Sequence, residues 1–467
     1  MECRVFYFIF CLLINIGISG QRFSKKTVEQ DFDFLYHSLQ DTHYNLYAYQ
    51  DKQAYDRLFY SLKSGIKDSM SFIETVSLYQ NLTSFSNTGH CEIDFPAGSY
   101  IQYAQEGGTL FPLELAFENN RTFIRKNFSS NNKAAIGDQL LSIDKVPVRD
   151  LIKKVYPLIS AERSYFKNAK IEFWSFPRLW FQHYGKKNFW DLEIKNNKNQ
   201  IFITRLNSIS VMEYEEKRNG EILNPQKILK FYGKTAYLKP GFLSSADPDG
   251  LYLFKKYIDS TFDKIRNNQT RNLIIDLRNN PGGDNDYSDY LISYFASKPF
   301  KWYSRFSIKT SAILKDYTKK SNDTLSSFAQ TILKGKDGDI IPVDLPAQQP
   351  MEQSKRFKGK IYILINRQTY SMAAVSAALI QDYKFGTIVG EETGDTPTLY
   401  ASQFSFQLPE TKINVKVPKG YIIRPDGDEH LKGVVPDIAI TDHLLDDHDE
   451  IVEGLLLRLN SVKKNHL

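Results

Sequence analysis

The sequence is short of cysteine, of charge of one sign and of long apolar runs. It holds three cysteines in 467 residues. Cys3 and Cys11 lie in the first twenty residues, so Cys91 alone remains in the body of the chain and an internal disulfide framework is excluded there. The formal net charge is only +6, with lysines scattered rather than clustered, which leaves no electrostatic footprint for nucleic acid. Beyond residue 20 no segment is apolar for long enough to cross a bilayer. There is no G-x-G-x-x-G and no Gly-Lys-Ser/Thr loop, so nucleotide binding has no support. No His/Cys/carboxylate group has metal-ligand spacing, and the expectation is neither a metal nor another cofactor.

What is present starts with a leader. Arg4 precedes an apolar run over 5–18, and Ser19-Gly20-Gln21 offers a small-residue cleavage site. We expect a signal peptide over 1–20. An exported chain without disulfides fits a bacterial periplasm, cell surface or extracellular space. The composition is 42% hydrophobic and 24% charged, ordinary for a globular protein. Aromatics reach 14%, which suits large cores or grooves that grip peptides.

Three further regions are expected. Residues 21–105 show helical spacing of apolar positions, as in VEQDFDFLYHSLQDTHYNLYAY and SFIETVSLYQNLTSF. Within 106–160, TLFPLELAFENNRTFIRKNF alternates like paired strands. The stretch Gly137-Asp138-Gln139 followed by LLSIDKVPV resembles the core of a PDZ-like domain, with Lys145 where the turn glycine usually stands. Such modules bind extended peptides along a sheet edge. Residues 161–467 are assigned to an α/β core. Its strands are expected at 235–238, 272–277, 361–365 and 386–389, and its helices at 250–265, 287–296, 372–382 and 448–459. The charged stretch 315–339 reads as a lid or an exposed insertion.

Two strand-to-helix turns carry the chemistry. The first places Ser371 between the apolar strand 361–365 and a helix whose packed face is Ala373, Ala374, Ala377 and Ala378. Free N–H groups and partial positive charge collect at such a helix start. A nucleophilic serine can use those amides to stabilise an oxyanion. A serine there is also a common N-cap, and the segment alone does not separate the two roles. The second turn, Asp276-Leu-Arg278-Asn279-Asn280-Pro281-Gly282-Gly283-Asp284, ends in adjacent glycines that let a backbone N–H approach a ligand closely. The two turns could face each other across a cleft.

Four motifs in order resemble the peptidase family of the C-terminal processing proteases and the tricorn core protease. They are Asp276-Leu-Arg278 through Gly283, Ser371 through Gln381-Asp382, Val389 through Gly394, and Gly433 through Asp437. The resemblance implies an α/β fold with a crotonase-like catalytic core, a PDZ-like domain and an N-terminal helical region. It implies a serine endopeptidase that hydrolyses peptide bonds through an acyl-enzyme, with a peptide or protein as partner. Ser371 would be the nucleophile. The amides of Met372 and of Gly282 or Gly283 would form the oxyanion hole. Ser–Lys members carry a lysine at the position occupied here by Thr396, so a Ser–Lys dyad is not expected. The tricorn-like branch takes a histidine from before the PDZ-like domain, which points to His90 as base; an imidazole has a suitable pKa for that task. Glu429 is the first candidate to orient it, with Asp426 and Asp428 next and His430 a rival in the same loop. Arg424 is a candidate for a substrate carboxylate.

Other readings compete. Cys91 beside His90 invites a cysteine nucleophile, but neighbours on an extended chain point apart. A non-catalytic peptide- or lipid-binding protein could use the same fold. A crotonase-like lyase or hydratase is disfavoured by the leader, since such enzymes act on intracellular acyl-thioesters.

Overall fold

The protein is described by a computed structural model that covers residues 21–218, 225–321 and 323–464. The expected signal peptide, 1–20, lies outside the described residues. The N-terminal region is helical because its polar residues fall at helix starts. Ser24 caps Lys25–Thr42, Asp51 caps Lys52–Ser64, and Ser71 with Glu74 closes a reciprocal capping box on Phe72–Ser84. Their apolar faces share one core around Phe32, Leu35, Tyr55 and Tyr79.

The middle region is a six-stranded sheet. The expected hairpin is there, Leu113–Glu118 against Arg121–Asn127. Asp144 and Lys145 both take positive φ, at 50° and 67°, to turn Gln139–Ile143 into Val146–Pro147. The sheet does not end at residue 160, however. Phe189–Lys195 pairs with Gln139–Ile143, and Ile201–Asn207 pairs in turn with Phe189–Lys195. Leu192, Ile194 and Leu206 belong to the same apolar core as Leu113 and Leu140, which is why the later strands are needed. The expected boundary at 160/161 is therefore misplaced, because it cuts this sheet.

The main sheet begins at Ile228–Tyr232. Its order runs through Thr235–Lys239, Asn272–Asp276, Lys360–Ile365 and Thr387–Gly390 to Ile438–Ala439. All pairs after the first hairpin are parallel. The expected strands and the helices Gly250–Asn267, Asn285–Ser293, Met372–Asp382 and Glu450–Lys464 are all present, with shifts of a few residues at their ends. Register sets Asp276 opposite Leu364, so the glycine turn and the serine turn leave the same sheet edge side by side. The serine helix packs closely because Ala373, Ala374, Ala377 and Ala378 are fully buried and small. The stretch 315–339 is not a loose insertion. It forms most of a helix pair, Ala312–Lys320 and Ser327–Lys334, whose Leu314 and Ile332 join the main core.

A second sheet joins the parts. Asn414–Ile423 pairs with Leu399–Gln407 and with Arg305–Lys309, and it also takes Glu92–Ile93 from the N-terminal region. A buried ion cluster makes a second junction. Arg367, in the serine turn, binds Glu172 and Glu118 of the middle region and Glu391 of the core. Removing the cation would strand Glu172, which has no exposed surface. Replacing Arg367 by Met should therefore lower unfolding free energy by about 3–5 kcal/mol, measured by urea denaturation; a loss below about 1 kcal/mol would contradict this account.

Candidate active site

Ser371 sits at φ 53° and ψ −130°, a backbone conformation that only glycine adopts without strain. Its side chain makes no capping bond to the helix it precedes, which removes the N-cap reading. Oγ instead lies 3.1 Å from Nε2 of His90, across 281 positions of sequence. The serine N–H donates to Asp395 Oδ2 at 2.7 Å.

Several hydrogen bonds hold the serine turn to the glycine turn. Asn366 Nδ2 donates to Asn279 Oδ1 at 2.8 Å, Tyr370 N–H donates to Asn280 O at 3.0 Å, and Thr369 Oγ1 donates to Leu277 O at 3.0 Å. Gly282 consequently lies against the serine. A Cβ there would stand 2.6 Å from Met372 N and 2.8 Å from Ser371 Cβ, and φ is +83°. Only glycine fits on both counts. The Gly282 N–H is engaged by Asn280 Oδ1 at 3.0 Å. Gly283 bridges Leu243 through its neighbours, since Leu243 N–H donates to Gly282 O and Asp284 N–H to Leu243 O. That pattern turns the N–H of Gly283 itself away from Leu243. Met372 is the first residue of its helix, so its N–H has no intrahelical acceptor.

His90 is held on several sides. The strand Glu92–Ile93 anchors its turn to Asn414–Ile423. Its carbonyl accepts from Gln403 Nε2 at 2.6 Å, and its ring stacks on Tyr370 with centroids 5.0 Å apart. Gly89 O accepts from Tyr370 Oη and from Lys170 Nζ, both at 3.1 Å. Burial, helped by Lys170, pushes the imidazole pKa down to about 3, so the ring stays neutral near pH 7. Nδ1 is buried and has no hydrogen-bond partner among the described residues.

The structure does not bring Glu429 to that nitrogen. Glu429 is half exposed and accepts from Tyr421 Oη at 2.9 Å and Arg305 at 3.2 Å. Its loop is turned outward by bonds within itself: Asp428 N–H to Asp426 Oδ1 and His430 N–H to Asp428 Oδ1. Asp426 also pairs with Arg424, and Asp428 with His430 and Lys432, so neither rival acid faces His90. Arg424 is buried and locked to Asp382, which withdraws it as a free anchor for a substrate. Gln381 Nε2 completes that brace by donating to Asp437 Oδ1. Cys91 is buried, and burial pushes its thiol up to about 12, so it is no thiolate nucleophile.

Sequence reasoning missed Asp395, Glu162, Lys170 and Tyr370. Asp395 and Tyr370 adjoin residues already singled out, Thr396 and Ser371; Glu162 and Lys170 carried no such signal. It also missed His443, Asp446 and Glu450, whose ligand atoms lie within 4.8 Å of one another. They sit before and at the start of the C-terminal helix and share no hydrogen bond with the serine site.

Residues 240–440 match Peptidase family S41. The expected resemblance to the C-terminal processing and tricorn peptidases is thus borne out over that stretch. The family S41 stretch contains both turns and Asp395, while His90 lies outside it. The chain is 27% identical over 142 residues to the "Tail-specific protease" of Haemophilus influenzae, covering 28% of this chain and 20% of that protein. It is 25% identical over 236 residues to the "Probable CtpA-like serine protease" of Staphylococcus epidermidis, covering 50% of this chain and 36% of that one. The chain thus spans well under half the length of these curated relatives. Its fold is that of mature CPAF, with a TM-score of 0.65 at 16% identity over 94% of this chain and 97% of the other.

The neutral histidine has a measurable consequence. An unfolded chain protonates His90 below about pH 6.5, whereas the folded one resists down to about 3. The stability this residue contributes is complete above pH 6.5 and is lost as pH falls. In the His90→Gln variant, unfolding free energy should fall by about 1–2 kcal/mol less between pH 7 and pH 5 than in the wild type. Equal slopes in urea melts at the two pH values would refute the burial argument.

Proposed function

We propose that the chain is an exported serine endopeptidase that cleaves peptide bonds through an acyl-enzyme. The single observation that carries this reading is the 3.1 Å contact between a strained serine, free of capping duty, and a neutral imidazole. Ser371 Oγ attacks the substrate carbonyl while His90 Nε2 takes its proton. The tautomer competent for this carries hydrogen on Nδ1. The amides of Met372 and Gly283 receive the oxyanion, since the Gly282 amide is already engaged. His90 then returns the proton to the leaving amine, and water repeats the sequence on the ester. The match to a serine peptidase family over the core supports the same reaction. The order of the main sheet fits a crotonase-like core. The middle sheet fits a PDZ-like module that grips extended peptide, with its limits at about 106–207 rather than 106–160. Export to a bacterial periplasm or surface rests on the leader.

A second reading is favoured by one observation. Nδ1 of His90 has no acid partner, as a non-catalytic peptide- or lipid-binding relative would allow. A fluorophosphonate probe separates the two. The mature chain should be labelled at Ser371 and should cleave unstructured peptide. Ser371→Ala should abolish both, and His90→Ala should lower kcat by about 10²–10⁴-fold. Cleavage by Ser371→Ala at the wild-type rate would sink the peptidase reading.

A further inference from the structure

Two buried carboxylates beside the serine take no part in its proton path. Glu162 precedes the helix Ser164–Trp174 and accepts the Gly89 N–H at 2.7 Å. It fills the space beside that glycine: a Cβ on Gly89 would stand 3.0 and 3.3 Å from its two oxygens. Asp395 follows the strand Thr387–Gly390 and has no exposed surface. It accepts the N–H of Ser371 at 2.7 Å and that of Thr396 at 2.9 Å. One carboxylate therefore holds the amide just before the base, and the other holds the amide of the nucleophile.

The two sites form one cluster. Lys170 bonds Gly89 O and Ser160 O at 3.1 and 2.7 Å, lies 4.8 Å from the centre of the Tyr370 ring, and its charge acts on both carboxylates. Tyr370 stacks on His90, bonds Gly89 O and is followed by Ser371. A charged acceptor makes a stronger hydrogen bond to an amide than a neutral one, by roughly twofold. Such a bond can hold a residue at a backbone conformation that is otherwise strained.

We propose that Asp395 and Glu162 are positioning residues: Asp395 holds Ser371 in its strained conformation, and Glu162 holds the Gly89–His90 turn so that the imidazole meets it. The activity readouts below rest on the peptidase reading; the exchange readout does not. Burial first, and then the charge of Glu162, pushes the Asp395 carboxyl well above the usual carboxylate range. The charged and titratable groups that act on the pair are Lys170, Arg163, Tyr49 and Tyr370. Ionised Asp395 is the stronger acceptor for the serine amide, so Ser371 reactivity falls as pH drops through the Asp395 titration. Taking away the Glu162 charge removes a like charge and moves that fall to lower pH.

The test uses the full mature chain with Asp395→Ala, Asp395→Asn and Glu162→Gln. Fluorophosphonate labelling rate is followed against pH, and hydrogen exchange is followed at the Ser371 amide. Asp395→Ala should react about 100-fold more slowly, with kcat rather than KM affected, and its Ser371 amide should exchange faster. Asp395→Asn keeps an amide acceptor and should be intermediate, without the acid limb. Glu162→Gln, which keeps an acceptor for Gly89, should shift the limb to lower pH. Wild-type labelling and exchange in Asp395→Ala would overturn the proposal. Should that variant not fold, an unchanged acid limb and unchanged exchange in the isosteric Asp395→Asn would overturn it. If the wild type itself is not labelled, the peptidase reading fails and Ser371 exchange alone decides the positioning.

Discussion

The contact between His90 and Ser371 depends on a seam that no single region owns. Gly89 and His90 come from the end of the N-terminal helical region, and Tyr370 and Ser371 from a turn of the main sheet. They meet because the Tyr370 ring lies on the imidazole while its hydroxyl and Lys170 Nζ both bond Gly89 O. These are hydrogen bonds in a place from which water is excluded, where a lost partner leaves a buried polar group unsatisfied. The seam is therefore either closed correctly or costly, which suits a site that needs fixed geometry.

Several remote features serve that seam. The strand Glu92–Ile93 joins the second sheet and fixes where the His90 turn emerges. Arg367 ties the serine turn to Glu172 and Glu118 of the middle region. Arg424 and Gln381 brace the far end of the serine helix. Arg424, which reads in sequence as a candidate for substrate contact, is thus spent on holding parts together. A guanidinium is well suited to this, since its planar fork satisfies several carboxylates at once.

The fold was largely legible. Short apolar runs followed by amphipathic stretches mark strand and helix in parallel α/β units, and the core strands were placed within a few residues. The strands of the middle sheet were placed only up to residue 147. Its last strands arrive after the helices Ser164–Trp174 and Phe176–Phe181, and nothing local in Phe189–Lys195 says which earlier strand it joins. The site divided in the same way. Ser371, Met372 and the glycines belong to turns whose geometry is local. Glu429 was chosen by its place in a motif, but the turn bonds of its own loop and the pull of Arg305 and Tyr421 put it elsewhere.

The chemistry that each turn can offer is written in its local residues. A hydroxyl before an alanine-faced helix, paired glycines after a buried strand and the lack of a lysine at Thr396 are facts of composition and spacing. Which groups act on one another is set by the folded packing. It set His90 on Ser371, left the Gly283 N–H turned away from Leu243, and buried Asp395 and Glu162 beneath the pair. The physical reason is that hydrogen bonds and desolvation depend on distances of a few ångströms between residues as far as 281 positions apart. No local pattern encodes those distances; the packing of three apolar cores against one another does.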